Sequence, residues 1–173
     1  MTVHCYVGAA AGGARTAAAI AALHPAWTVK TTRLAASVAV QRACAARAAA
    51  IVVWIAADAQ VTAPLDDLLA ELDGRDILLL ARRSQASDDY ERDLHIARTG
   101  TFNLGFLAVR TSGEGARFAA WWADRVANYP AAVGEESYAD QRWCDLAPGL
   151  FDRVAIVRDT PAGLTLAFDR AAA

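Results

Sequence analysis

Short, continuous apolar runs alternate along this chain with longer segments of helical spacing. "VHCYVGA" (3–9) is β-rich, and "AGGARTAAAIAALHP" after it reads as a helix ended by His24-Pro25. "WTVKTT" (27–32) alternates as a strand does, and "AASVAVQRACAARAAA" (35–50) reads as a helix with Val38, Val40, Ala43 and Cys44 among its apolar positions. "IVVWIAA" (51–57) is apolar throughout and rich in β-branched residues, the composition of a strand covered on both faces. Pro64 suits a helix N1 position with Asp66 and Asp67 in the first turn, and Leu65, Leu68, Leu69 and Leu72 share one face. Gly74 ends that helix, and "DILLLAR" (76–82) predicts a further buried strand.

The order to this point is β-α-β-α-β-α-β, which implies a mostly parallel α/β sheet flanked by helices with right-handed crossovers. At "RRSQASDDYERDLHIARTG" (82–100) the rhythm breaks into a polar stretch with both signs of charge, read as a loop with a short helix. "TFNLGFLAVR" (101–110) returns to strand. Thr111 and Glu114 fit a capping box that opens a helix with Phe118, Trp121, Trp122 and Val126 on its apolar face. "EESYADQRWCDLAPGLF" (135–151) predicts a second short helix that stops before Pro148-Gly149, with Trp143 and Leu146 packed inward. "RVAIVRD" (153–159) and "GLTLAF" (163–168) read as late strands, and the terminal "RAAA" as frayed. No boundary or repeat divides the chain, so one domain over residues 1–173 is expected.

Composition narrows the function classes. Apolar residues make up 55% with a mean hydropathy of +0.21, much of it alanine, and Lys30 is the only lysine. The net charge of −2 and the absence of a basic run longer than Arg82-Arg83 argue against a nucleic-acid binder. Cys5, Cys44 and Cys144 are odd in number and widely spaced, which predicts buried free thiols and no disulfide framework or zinc knuckle. With no basic leader and no apolar run near about 20 residues, a cytoplasmic protein without a transmembrane segment is expected. His4, His24 and His95 lack metal-pair spacing and read as structural.

In open α/β sheets, ligands bind beyond the carboxyl ends of the strands. That rule selects the turn from Gly8 to Gly13 and Asp58, with Asn103 and Gly105 joining them if the later strand lines the same cleft. The Gly8–Gly13 turn precedes a helix, where backbone N–H groups attract phosphate, but its spacing matches neither common phosphate-loop fingerprint. Asp58 ends a long apolar run, so it belongs at the sheet edge, in a turn or beside a cation. Asn103 and Gly105 lie two apart on a strand, either as a bulge with a satisfied asparagine or as a place where a ligand nears the backbone. Asp140 and Gln141 either cap a helix or sit in a site.

Taken together, "VVWIAADAQVTAPLDDLLAEL", "GTFNLGFLAVR", "WW" and "ADQRWCDLAPGLFDRVAIVRD" resemble successive blocks of bacterial GT-A-fold glycosyltransferases, over residues 50–160. The resemblance implies a GT-A-like α/β fold of mostly parallel, mixed sheet, a nucleotide-diphosphate sugar as donor, and transfer of its sugar to an acceptor hydroxyl. In that family an Asp-x-Asp pair at a strand end holds a divalent metal on the donor diphosphate, where oxygen ligands suit a hard cation that offsets the leaving group's charge. Here the pair reads Ala56-Ala57-Asp58, with the second carboxylate present and the first missing. Asp58 is then the expected ligand for Mn²⁺ or Mg²⁺. Gly8, Asp58, Asn103 and Gly105 are the expected donor-binding residues, and Asp140 with Gln141 the expected catalytic pair. The family often supplies another metal ligand near its C-terminus, whereas this chain is short there and has no histidine after His95. Two alternatives stand beside the enzyme: a catalytically degenerate GT-A-like binding or assembly module, and a generic α/β nucleotide-binding protein that uses the Gly8–Gly13 turn.

Overall fold

The structure is a computed structural model describing residues 1–47, 49–86, 88–129 and 139–166. The apolar runs become a six-stranded sheet built from β1 (Val3–Gly8), β2 (Thr28–Thr32), β3 (Ile51–Ile55), β5 (Ile77–Ala81), β6 (Phe102–Arg110) and β7 (Val154–Val157). Their spatial order is β2-β1-β3-β6-β5-β7. The β1–β2, β1–β3 and β5–β7 pairs are parallel, and β6 runs antiparallel to both of its neighbours. The expected mostly parallel, mixed α/β architecture is therefore present. One consequence matters for the site: β6 begins where β3 and β5 end, so its first residues stand at the carboxyl edge of the parallel strands.

Helices cover both faces, as the all-buried β3 demands. On one face α1 (Gly13–Leu23) and α3 (Asp66–Ala70) enclose Val53, Ile55, Leu78, Leu80 and Phe106. On the other, α2 (Ala36–Ala46), α5 (Gly113–Asn128), α6 (Ala139–Cys144) and α7 (Ala147–Leu150) cover Val52, Trp54, Ile77, Leu79 and Leu107. Phe118 and Trp122 on α5 are fully buried, and Phe118 stacks on Trp122 with ring centroids 5.7 Å apart. The short α4 (Tyr90–Thr99) lies within the expected polar stretch.

Several local expectations need correction. Pro64 is not the first helical residue, because α3 starts at Asp66; the Leu65 N–H at its N-cap donates to His24 Nε2 at 3.0 Å. The capping box does not form. The Thr111 hydroxyl instead donates to the Ala49 carbonyl at 2.6 Å, and the Glu114 N–H finds its acceptor 38 residues away, in Asp76 Oδ2 at 3.0 Å. A remote carboxylate that also meets Arg153 (3.1 Å) outcompetes a local hydroxyl. The second short helix, α6, stops at Cys144, before Pro148 as expected, but a further short helix, α7, follows and takes in Pro148 near its start, where its missing N–H costs nothing. Leu146 faces solvent, since the break between α6 and α7 turns it outward. The stretch read as the last sheet strand contributes only β8 (Leu164–Thr165), which pairs antiparallel with β4 (Gln60–Val61) in a separate two-stranded sheet. The predicted helix start over 135–138, the strand end at 167–168 and the terminal "RAAA" lie outside the described residues. Cys5, Cys44 and Cys144 are buried free thiols, as expected, and burial pushes Cys5 up to about 12 and Cys44 up to about 11.

Candidate functional site at the carboxyl edge

The β1–α1 turn is built on two glycines. Gly12 has φ +96°, a left-handed conformation, and a side chain there would come within 3.0 Å of the Ala57 carbonyl. A Cβ on Gly13 would lie 2.0 Å from the Gly8 carbonyl, so the helix can leave the strand only through glycine at that point. One turn into α1, the buried Thr16 hydroxyl lies 2.9 Å from the carbonyls of both Ala57 and Ala59. Those carbonyls flank Asp58. Together with the Ala59 N–H bond to Ala56 O (3.2 Å), Thr16 fixes the turn that presents Asp58.

Asp58 is exposed and lines a hollow of about 430 Å³ with Gly12, Arg15, Thr16, Gln60 and Thr62. A second, larger hollow of about 690 Å³ is walled by Gly8, Arg33, Trp54, Ala56, Leu104 and Asp140. Ala57 borders both hollows. The strand-end backbone at Ala56 and Ala57, anchored by the Ala56 N–H to Gly105 O bond of 2.9 Å, thus forms a ridge with Asp58 on one side and Asp140 on the other. Ala56 lies on the Asp140 side.

Asp140 sits at the start of α6, half-buried. Burial raises its pKa above the ordinary carboxylate value, and the Gln141 N–H, donating to Oδ1 at 2.9 Å, partly opposes the rise. Its own carbonyl accepts from the Trp122 indole at 2.9 Å, which ties the acid to the core. Gln141 is not in the wall of the hollow. It packs on Gly100, where φ is +110° and a Cβ would approach Gln141 Cβ to 2.9 Å. A further anchor comes from Asp145, whose Oδ1 accepts from both the Thr101 N–H and its hydroxyl at 2.7 Å and so joins α6 to the start of β6.

Asn103 and Gly105 belong to neither hollow wall. Asn103 is buried; its Oδ1 accepts the Gly105 N–H at 3.0 Å, which fixes the amide orientation and leaves Nδ2 buried with no hydrogen-bond partner among the described residues. A Cβ on Gly105 would come within 3.1 Å of Leu166, so this part of β6 turns toward the β8 segment. The structure thus brings Gly8 and Asp140 into one hollow, places Asp58 across the ridge from them, and leaves Asn103, Gly105 and Gln141 as near neighbours behind the walls. Sequence reasoning missed Thr16, Arg33, Trp54 and Gly100. Only Gly100, at the boundary between the polar stretch and β6, carried a visible signal.

Among the described residues, no three His, Cys, Asp or Glu side chains come together as a metal cage. Among the described residues, no donor set holds a cation without substrate. Asp58 alone is compatible with a hydrated Mg²⁺ or Mn²⁺ whose other ligands are water and substrate phosphate. No helix among the described residues is long and apolar enough to cross a membrane.

Several solved structures that resemble this chain are glycosyltransferases. One, involved in the glycosylation of the major capsid of PBCV-1, superposes with a TM-score of 0.59 at 11% identity, covering 91% of this chain and 82% of its own. The glycosyltransferase GlyE of Streptococcus pneumoniae TIGR4 gives 0.57 at 14% identity over 91% of this chain. Its apo form gives 0.53 at 16%. The chain spans 45% of GlyE's length. No family model and no curated protein matches the sequence. The likeness shows the fold alone, a GT-A-like α/β fold with its sheet edge arranged as described above.

Proposed function

We propose that this protein binds a nucleotide-diphosphate sugar at the carboxyl edge and transfers the sugar to an acceptor hydroxyl. The observation that carries the reading is the 690 Å³ hollow, in which the half-buried Asp140 faces Gly8 and the Ala56 strand end of a GT-A-like sheet. Its volume is that of a small-molecule site. Gly8 leaves the floor open to close approach. Arg33 in the same wall, and Arg15 beside Asp58, supply positive charge near a diphosphate. Asp140, held by the Gln141 N–H, orients the acceptor hydroxyl or stabilises positive charge developing at the sugar's anomeric carbon. Asn103 Nδ2 is an unspent donor beside the β6 strand end, suited to a sugar hydroxyl once side chains adjust. A hydrated Mn²⁺ or Mg²⁺ on Asp58, when bound, would offset charge on the leaving diphosphate.

A second reading has its own support. Ala56 leaves the Asp140 hollow without the carboxylate that a metal-binding pair would place there, which favours a degenerate module that binds without transferring. A thermal-shift panel of UDP-, GDP- and dTDP-sugars, with and without Mn²⁺, separates the two. A ligand at 100 times its dissociation constant stabilises by about 2.7 kcal/mol. A shift from one nucleotide-sugar, with release of free nucleotide on adding acceptor sugars, supports the transferase. A shift without release supports the module, and no shift from any of them contradicts donor binding.

A further inference from the structure

The carboxyl edge holds a third hollow that the donor site does not use. β5 and β7 run parallel with Leu80 opposite Val157, so both chains leave the sheet side by side. They place Arg82 and Arg83 from one and Arg158 from the other at a common rim, and α4 adds Arg92. These four arginines, with Ser84, Gln85 and Thr160, wall an open hollow of about 520 Å³. Among the described residues that line it, the only acid is Asp159. This is a local excess of positive charge in a protein whose net charge is −2.

The four do not have equal duties. Arg82 is buried and donates to the Gly100 carbonyl at 2.9 Å, which holds the loop to the end of α4. Arg83 pairs with Asp93 at 3.2 Å. Arg92 is half-buried and Arg158 exposed, and no described carboxylate forms an ion pair with either guanidinium. Like charges gathered at one rim repel unless an anion lies between them. A planar guanidinium offers a fork of N–H donors that matches phosphate or carboxylate oxygens. The neighbouring Ser84, Gln85 and Thr160 add neutral polar groups suited to a substituent on that anion.

We infer that the Arg83–Arg92–Arg158 hollow binds a phosphate-type oxyanion, and that this oxyanion belongs to the acceptor. The first half stands on the hollow alone. The second rests on the transferase reading. The hollow lies at the β5–β7 end of the sheet edge and the donor hollow at the β1–β3 end, with β6 between them. At a strand spacing of about 4.8 Å, one to two nanometres separate the two. That is the reach of a phosphorylated sugar or a similar anionic acceptor laid along the edge, with its hydroxyl at Asp140.

The test is isothermal titration of the full chain with inorganic phosphate and with pyrophosphate, in a low-salt buffer free of both. Wild type is expected to bind, more weakly as salt rises. An Arg92→Ala/Arg158→Ala double variant should lose at least tenfold in affinity for phosphate. An Arg92→Lys/Arg158→Lys variant, which keeps the charge, should retain part of the affinity; its circular dichroism guards against misfolding as the cause. No binding by wild type, or unchanged affinity in the alanine double variant, overturns the site. A nucleoside diphosphate that displaces phosphate overturns its assignment to the acceptor, because the donor's own phosphates would then occupy it. If phosphate binds through Arg92 and Arg158 but no nucleotide-sugar binds anywhere, the transferase reading fails and the oxyanion site stands.

Discussion

Replacing Thr16 with valine probes the device that sets the Asp58 turn. The change keeps shape and exchanges the hydroxyl, which lies 2.9 Å from two carbonyls, those of Ala57 and Ala59, for a methyl group. The side chain is buried, so water does not replace the lost donor. Losing a hydrogen bond costs about 1 kcal/mol, and leaving a buried acceptor unsatisfied adds about 1 kcal/mol or more. The expected loss is thus about 2 kcal/mol, a drop in Tm of roughly 4–8 °C for a chain of this size. Thr16→Ser, which keeps the hydroxyl and loses a methyl group, should lose less than half as much. Urea denaturation followed by tryptophan fluorescence measures both. Thr16→Val within about 0.5 kcal/mol of wild type, or a serine variant as destabilised as the valine one, would refute the claim that this hydroxyl holds the turn.

Asp76→Ala removes the remote cap of α5 and the partner of Arg153 and Arg110; because both arginines reach solvent, a loss of about 2 kcal/mol is expected in urea denaturation, below the full cost of stranding a buried charge. His24 is pushed below its ordinary value of 6.5 chiefly by burial, with the Asp66 carboxylate opposing. Its contribution is therefore fully present above that value and lost as pH falls through the lowered one, so Tm should decline on acidification from pH 7. His24→Gln, which cannot titrate, should flatten that decline. Asp140 is raised by burial, so its charged form destabilises the fold at neutral pH. Asp140→Asn should melt higher than wild type at pH 7, with the difference shrinking as pH falls toward 3.8 and the wild-type acid protonates.

The fold was legible where one local property decided it. β3 and β5 are apolar throughout, which only a doubly covered strand allows, and the α5 stripe of Phe118, Trp121 and Trp122 needed only helical spacing. The parts that were not legible depend on distant partners. The β4–β8 pairing joins two residues to two others about a hundred positions away, and the α5 cap is the carboxylate of Asp76, just before β5. The site was half legible for the same reason. Strand ends named Gly8, Asp58 and the start of β6 as one edge, as the topology has it. Side, however, was assigned by simple alternation. Phe102 and Leu104 share a core cluster with Leu107 and Val109, which strict alternation forbids, and the β5–β6 register shifts between Leu79 and Ala81. That irregularity turns Gly105 toward Leu166 and sends Leu104 into the Asp140 hollow. Asp58 parts from Asp140 because the turn held by Thr16 carries it to the α1 side of the ridge, and nothing in the local sequence marks Thr16 as the residue that decides this.

Crystals of the protein soaked with the nucleotide-sugar that gives the largest thermal shift provide the most direct test. Electron density for the sugar between Gly8, Ala56 and Asp140 is the predicted result. A nucleotide-sugar bound elsewhere with that hollow left to solvent would contradict the account.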